Sequence, residues 1–113
     1  MKTDYITSGS TLPPYLVLPR FLLNMDVRFT AKEVYAILLD MALNSETVQT
    51  DQRGRRYLEF FNKTVAELID RTPSTVAQSL RELEAVGLVE KKLMARNAPY
   101  RIYIKLPAGE DAP

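Results

Sequence analysis

The segment Asp70 to Gly87, read as DRTPSTVAQSLRELEAVG, carries its own start and stop signals and constrains the fold more than any other part of the chain. A Thr hydroxyl at residue 72 can cap the first free amides of a helix, and a proline at the first helical position, here Pro73, loses no hydrogen bond that the helix needs. Gly87 stands where a left-handed C-terminal cap belongs. The spacing predicts a helix running to Val86, with Val76, Leu80 and Leu83 on one inward face. A helix with a single apolar stripe must lie on a core and present its other side to solvent or to a ligand.

The preceding residues supply two partners for that stripe. Thr30-Ala-Lys-Glu33 fits a capping box and predicts a helix starting there, with Val34, Ile37, Leu38 and Met41 on one stripe and an end at Asn44-Ser45. Asn62 is read as the cap of a short helix with Val65, Leu68 and Ile69 inward, stopped by Asp70 in a left-handed turn. Between them Asp51-Gln-Arg-Gly54 predicts a β-hairpin turn within residues 49–60, since Gly54 tolerates a positive backbone angle. After Gly87, residues 88–92 and 100–106 read as two strands joined by residues 94–99. The second strand alternates Tyr100, Ile102, Ile104 and Leu106 with Arg101, Tyr103 and Lys105, which predicts one packed face and one polar face.

Helix, hairpin, short helix, turn, long helix and two-stranded ribbon together specify an α+β fold, a winged helix-turn-helix with three core helices, an internal β-hairpin and a C-terminal wing. Residues 1–14 read as a flexible arm, 15–106 as the folded domain, with a turn of helix at Arg20 to Met25, and 107–113 as a flexible acidic tail. At 113 residues, 46% hydrophobic and 26% charged, the chain is one ordinary globular domain. It holds neither Cys nor His, which removes disulfides, thiol nucleophiles, the usual zinc ligands and the commonest general base. Its four glycines are isolated, so no phosphate-cradling loop is expected. We therefore expect neither an enzyme nor a cofactor or metal site. No signal peptide or spanning segment is visible, and the expected location is the cytoplasm.

Net charge is only +1, but residues 71–105 hold seven basic side chains against three acidic ones. In a helix-turn-helix the second helix enters the major groove with its N-terminal residues at the base edges. The candidate DNA-binding residues are then Ser74, Thr75, Gln78, Ser79 and Arg81 on that helix, with Arg71 and Thr72 beside a backbone phosphate at its start. Gln can pair bidentately with adenine, and Arg with guanine or phosphate. On the wing, Lys91, Lys92, Arg96, Asn97 and Arg101 suit phosphate or minor-groove contact. Arg53, Arg55 and Arg56 in the first hairpin read as a second contact or as a solvated turn. Phe21, Phe29, Tyr35 and Phe60 are assigned to packing rather than base stacking.

Several stretches narrow the reading further: Tyr15-Leu-Val-Leu-Pro-Arg-Phe-Leu22, Thr30-Ala-Lys-Glu-Val-Tyr-Ala-Ile-Leu-Leu-Asp40, Thr75-Val76 with Leu80 and Leu83-Glu84, Gly87-Leu-Val89, and Arg101-Ile-Tyr-Ile-Lys105. In these the chain resembles the N-terminal domain of replication initiator A proteins of plasmids from low-GC Gram-positive bacteria, over Tyr15 to Lys105. The resemblance implies binding to repeated double-stranded DNA elements at a plasmid origin, commonly as a homodimer. It also implies a further C-terminal domain that engages host replication proteins. We place part of the dimer interface at residues 15–23, where ordinary core packing is the competing explanation. Asp70 departs from the family, which often has Gly in that turn, and the end at Pro113 is read either as that of an excised domain or as that of a small protein lacking the part needed for initiation. A small transcriptional regulator and a winged helix used for protein assembly remain the alternatives.

Overall fold

The computed structural model describes residues 1–46, 48–60 and 62–108; the expected tail therefore lies mostly outside the described residues. Along the chain run α1 (Arg20–Leu23), α2 (Phe29–Asn44), β1 (Gln49–Thr50), β2 (Arg56–Leu58), α3 (Asn62–Leu68), α4 (Pro73–Ala85), β3 (Val89–Leu93) and β4 (Tyr100–Ile104). Residues 1–14 form no helix or strand and are exposed throughout. The architecture is a winged helix-turn-helix: α2, α3 and α4 enclose the core and β3–β4 form the wing.

Both ends of α4 follow from its sequence. Thr72 Oγ1 accepts from the Thr75 amide at 3.2 Å, with Pro73 in the first turn. At the other end Gly87 has φ 84°, and the amides of Gly87 and Leu88 donate to the carbonyls of Glu84 and Leu83, a Schellman closure with Leu83 and Leu88 buried together. The same closure ends α3 with an aspartate in the glycine position: Asp70 has φ 54°, and Arg71 N donates to Ala66 O at 2.9 Å. A non-glycine residue costs roughly 1 kcal/mol in that region, less for Asp, whose short side chain can bond locally.

The start of α2 differs from expectation. Arg28, not Thr30, occupies the N-cap, and no side chain of the helix caps it. The capping box is displaced by a tertiary contact: Glu82 on α4 accepts from the Arg28 amide at 3.4 Å and from its Nε at 3.0 Å, so a carboxylate from another helix sits on the positive end of α2. Burial also exceeds one stripe, because Ala31, Val34, Tyr35, Ala36, Ile37, Leu38, Leu39 and Ala42 are all buried, and all but Ala36 and Ala42 join the core that includes residues of α4 and the sheet. Tyr35 is fully enclosed, its hydroxyl donates to Lys105 O at 2.6 Å, and burial pushes its pKa up to about 12.

Several expected burials are corrected. Phe29 is 67% exposed and Leu68 61% exposed. Phe29 is the first residue of α2, and α3 buries Val65 and Ala66, leaving Leu68 with Phe29, Leu16 and Leu18 along an open trough of about 380 Å³. On β4 the expected alternation is also broken, since Tyr103 is buried while Tyr100 and Leu106 are exposed.

That last correction arises from strand pairing. The two hairpins join into one antiparallel sheet of order β1-β2-β4-β3, with Tyr57 opposite Tyr103 and Leu58 opposite Ile102. Directly opposed residues share a face. Leu58, Ile102 and Val89 join the helix core, whereas Tyr57 and Tyr103 lie on the outer face under the side chains of Arg101 and Arg55.

Candidate nucleic-acid interface

The α3–α4 turn and the first two turns of α4 bring Arg71, Thr72, Ser74, Thr75, Gln78 and Arg81 to one surface. Ser74, Gln78 and Arg81 are exposed, and neither Gln78 nor Arg81 has a hydrogen-bond or ion-pair partner among the described residues. These side chains can reach a groove without first breaking a protein contact. Thr72 and Thr75 serve the helix start instead: Thr72 Oγ1 lies 2.9 Å from Thr75 Oγ1 and 3.0 Å from Ser74 Oγ. Arg71 stands 3.8 Å from Glu33 Oε1 on α2, beyond hydrogen-bond length, with half of its side chain exposed.

Ser79 does not belong to this surface. It is 1% exposed, and its hydroxyl is buried without a hydrogen-bond partner among the described residues. The reason is helical geometry. Val76, Ser79, Leu80 and Leu83 fall at i, i+3, i+4 and i+7, so a serine on the core stripe is carried inward whatever its polarity.

The wing residues divide into three groups. Lys91 pairs across from Ile102 on the helix-facing side, near Arg81, and its amide donates to Glu84 on α4 at 3.2 Å. Its ammonium sits 4.2 Å from the centre of the Tyr100 ring. Arg96 and Asn97 are exposed at the wing tip, where Asn97 adopts φ 65° in the turn. Lys92 and Arg101 pair with each other on the outer face, away from α4. The expected site is thus brought together around the start of α4 and Lys91, extended by the wing tip, and not joined by Lys92 or Arg101.

α4 is itself held by contacts the sequence reading missed. The Arg28 guanidinium meets Glu82 at 2.9 Å and, chiefly through its hydrogen bond, holds the Glu82 carboxyl below the usual range against partial burial. Glu84 ties the helix to the edge of β3. Nothing in the local pattern marks either glutamate, since both look like ordinary charges on the outer side of an amphipathic helix. Among the described residues no helix is long and apolar enough to cross a membrane.

Comparison with solved structures places this geometry among known ones. One similar structure, titled "N-Terminal domain of DNA binding protein", superimposes with a TM-score of 0.71 at 19% identity, covering 95% of this chain and 86% of that one. Another, titled "Structure of Rep-DNA complex", gives a TM-score of 0.69 at 20% identity, covering 93% and 85%. At such identities the likeness is one of fold. No curated protein matches the sequence. The family described as replication initiator protein A (RepA) N-terminus matches residues 14–110, nearly the whole described domain, and the chain belongs to that family.

Proposed function

We propose that this replication-initiator domain binds double-stranded DNA sequence-specifically at repeated elements of a plasmid origin, in the cytoplasm and as a homodimer, and that it performs no catalytic step. The observation that carries the reading is the exposed row Ser74, Gln78 and Arg81 at the start of a well-capped helix, flanked by the wing, with Gln78 and Arg81 free of side-chain partners among the described residues. Gln78 has the reach and the paired donor and acceptor for adenine, and Arg81 for guanine or phosphate. The solved neighbour titled as a Rep–DNA complex has the same fold. The near-neutral total charge is consistent with this, because the positive excess lies in the α4–wing half of the domain, where residues 71–105 hold seven basic side chains against three acidic ones.

Dimerisation is supported by the exposed apolar segment around Tyr15 and Val17, 68% and 55% exposed, continuous with the Phe29–Leu68 trough. A run of exposed apolar side chains of this kind often marks a surface that a partner covers. Sedimentation equilibrium of the wild type and Leu16→Glu tests it, and a monomeric wild type at micromolar concentration ends this part of the reading.

The DNA reading is tested by fluorescence anisotropy on a selected repeat against a random duplex pool, across a salt series. Tight binding to the repeat alone is expected, and Gln78→Ala is expected to cost about 1–3 kcal/mol there while sparing pool binding. A folded sample that binds no duplex at low salt would instead indicate a protein-assembly module.

A further inference from the structure

The outer face of the sheet, which α4 leaves unused, is built differently from an ordinary solvated face. Arg53, Arg55, Lys92 and Arg101 surround Tyr57 and Tyr103 in an open trough of about 380 Å³. Two of the four cations are fixed in place. The Arg101 guanidinium lies 4.2 Å from the centre of the Tyr57 ring and donates to Tyr103 Oη at 3.3 Å, and that of Arg55 lies 5.2 Å from the centre of the Tyr103 ring. The other two, Arg53 on the β1–β2 turn and Lys92 on β3, are exposed and have no side-chain partner among the described residues. Asp51 is the one carboxylate in the lining. Its oxygens already accept from the Arg53 and Arg55 amides, Arg55 Nε and Tyr103 Oη at 2.8–3.0 Å. Glu59 and Glu90 stand on the same face, beside Arg101 and opposite Tyr103, but not in the lining.

We propose that this face is a second phosphodiester-binding surface, taking backbone phosphates of duplex DNA other than those under α4. The proposal deepens the DNA-binding reading and rests on it. Four cations against one satisfied carboxylate give the trough a local excess of positive charge. Guanidinium groups held over aromatic rings are positioned before any ligand arrives, which lowers the ordering cost of a phosphate contact. The trough lies open across the sheet, a shape that suits successive phosphates of a polymer better than an enclosed small molecule. Its donors are mostly cationic, and Thr50 and Gln52 beside them are too few to make a base-reading row, so the contact is made chiefly to phosphates and is indifferent to sequence. The phosphates can come from the flank of the duplex read by α4 or from a second duplex.

The double variant Arg53→Ala/Lys92→Ala removes the two exposed cations and leaves the Asp51 and tyrosine contacts intact. Its affinity for a short duplex holding one repeat should stay within about twofold of wild type. If the phosphates belong to the same duplex, a repeat with about one helical turn of flank on each side should show a slope of log affinity against log salt smaller by about 2 in the variant, from roughly 0.9 per lost contact. If they belong to a second duplex, that slope is unchanged, but energy transfer between two differently labelled short duplexes mixed with the protein is lost in the variant. Bridging by a dimer that reads one duplex per protomer would survive the substitution. A variant equal to wild type in both assays overturns the proposal, as does one that loses short-duplex binding to the same extent. A wild type that binds no duplex refutes the DNA-binding reading itself, a separable result.

Discussion

The two hairpins of this domain have similar sequence signals, two short strands around a turn with a left-handed residue, yet they are held in different ways. In the first, Asp51 ties the Gly54 turn together and reaches across to Tyr103 on the wing's own strand. In the second, the turn at residues 94–99 is fastened by one backbone bond from Ala98 to Ala95, and Arg96 and Asn97 project from it unsupported. The first hairpin is part of the scaffold, and the second, in the function proposed above, is a probe of the DNA. A tip that follows the DNA backbone needs freedom to adjust, whereas the strand beneath it must stay fixed relative to α4.

The contrast is sharpest along β4, which belongs to both hairpins. Tyr103, 6% exposed, packs on Tyr57 with ring centres 5.5 Å apart, while Tyr100, 45% exposed, only supports Lys91. Tyr103→Ala should cost about 3 kcal/mol and Tyr100→Ala under about 1 kcal/mol in urea denaturation. Equal costs would mean the hairpins are equally structural. The turns should differ too. Gly54 has φ 79° and open space around its Cα, so Gly54→Ala carries only the backbone penalty, about 1–2 kcal/mol. Asn97→Gly should change stability by less than about 0.5 kcal/mol, because Asn already tolerates that region. A comparable loss at residue 97 would show that the wing tip is rigid.

Asp51 offers a pH-dependent test of the same difference. Desolvation opposes its ionisation, but the Arg55 amide, the Tyr103 hydroxyl, the Arg53 amide and the Arg55 side chain outweigh that and hold it well below the ordinary carboxylate range. Its folded pKa is depressed, so its contribution is complete above the unfolded value near 3.8 and is lost as pH falls through the folded one. The gap in urea midpoint between wild type and Asp51→Asn should therefore be constant from pH 7 to about 5 and narrow in acid. A gap independent of pH down to 2 would show that charge is irrelevant to the turn.

Much of this was legible in the chain because it is local. Thr72-Pro73, Asp70, Gly87 and Gly54 each act on backbone within five residues, and each stands where the sequence placed it. What was not legible depends on partners far along the chain. The β2–β4 pairing, which buries Tyr103 against Tyr57 on the outer face, joins residues some 45 apart. The Glu82 carboxylate that replaces the Thr30 capping box arrives from 54 residues away. Ser79 is the exception. Its position at i+3 from Val76 and i−4 from Leu83 was readable, and weighing polarity above period put it on the wrong face.

The smallest expected effect on stability falls at the wing tip, where the functional effect should be clear. Arg96 is exposed and its side chain makes no hydrogen bond, ion pair or ring contact among the described residues, so Arg96→Ala should shift folding by no more than about 0.5 kcal/mol. Against DNA the same change should lower the slope of log affinity against log salt by about 0.9, the share of one phosphate, with equal loss on the repeat and on the random pool. Gln78→Ala is its counterpart, expected to lose affinity on the repeat alone and to leave the salt slope unchanged. If Arg96→Ala proved sequence-selective, the tip would be reading the minor groove instead of tracking phosphates, and its looseness relative to the first hairpin would then be a feature of recognition rather than of general attachment.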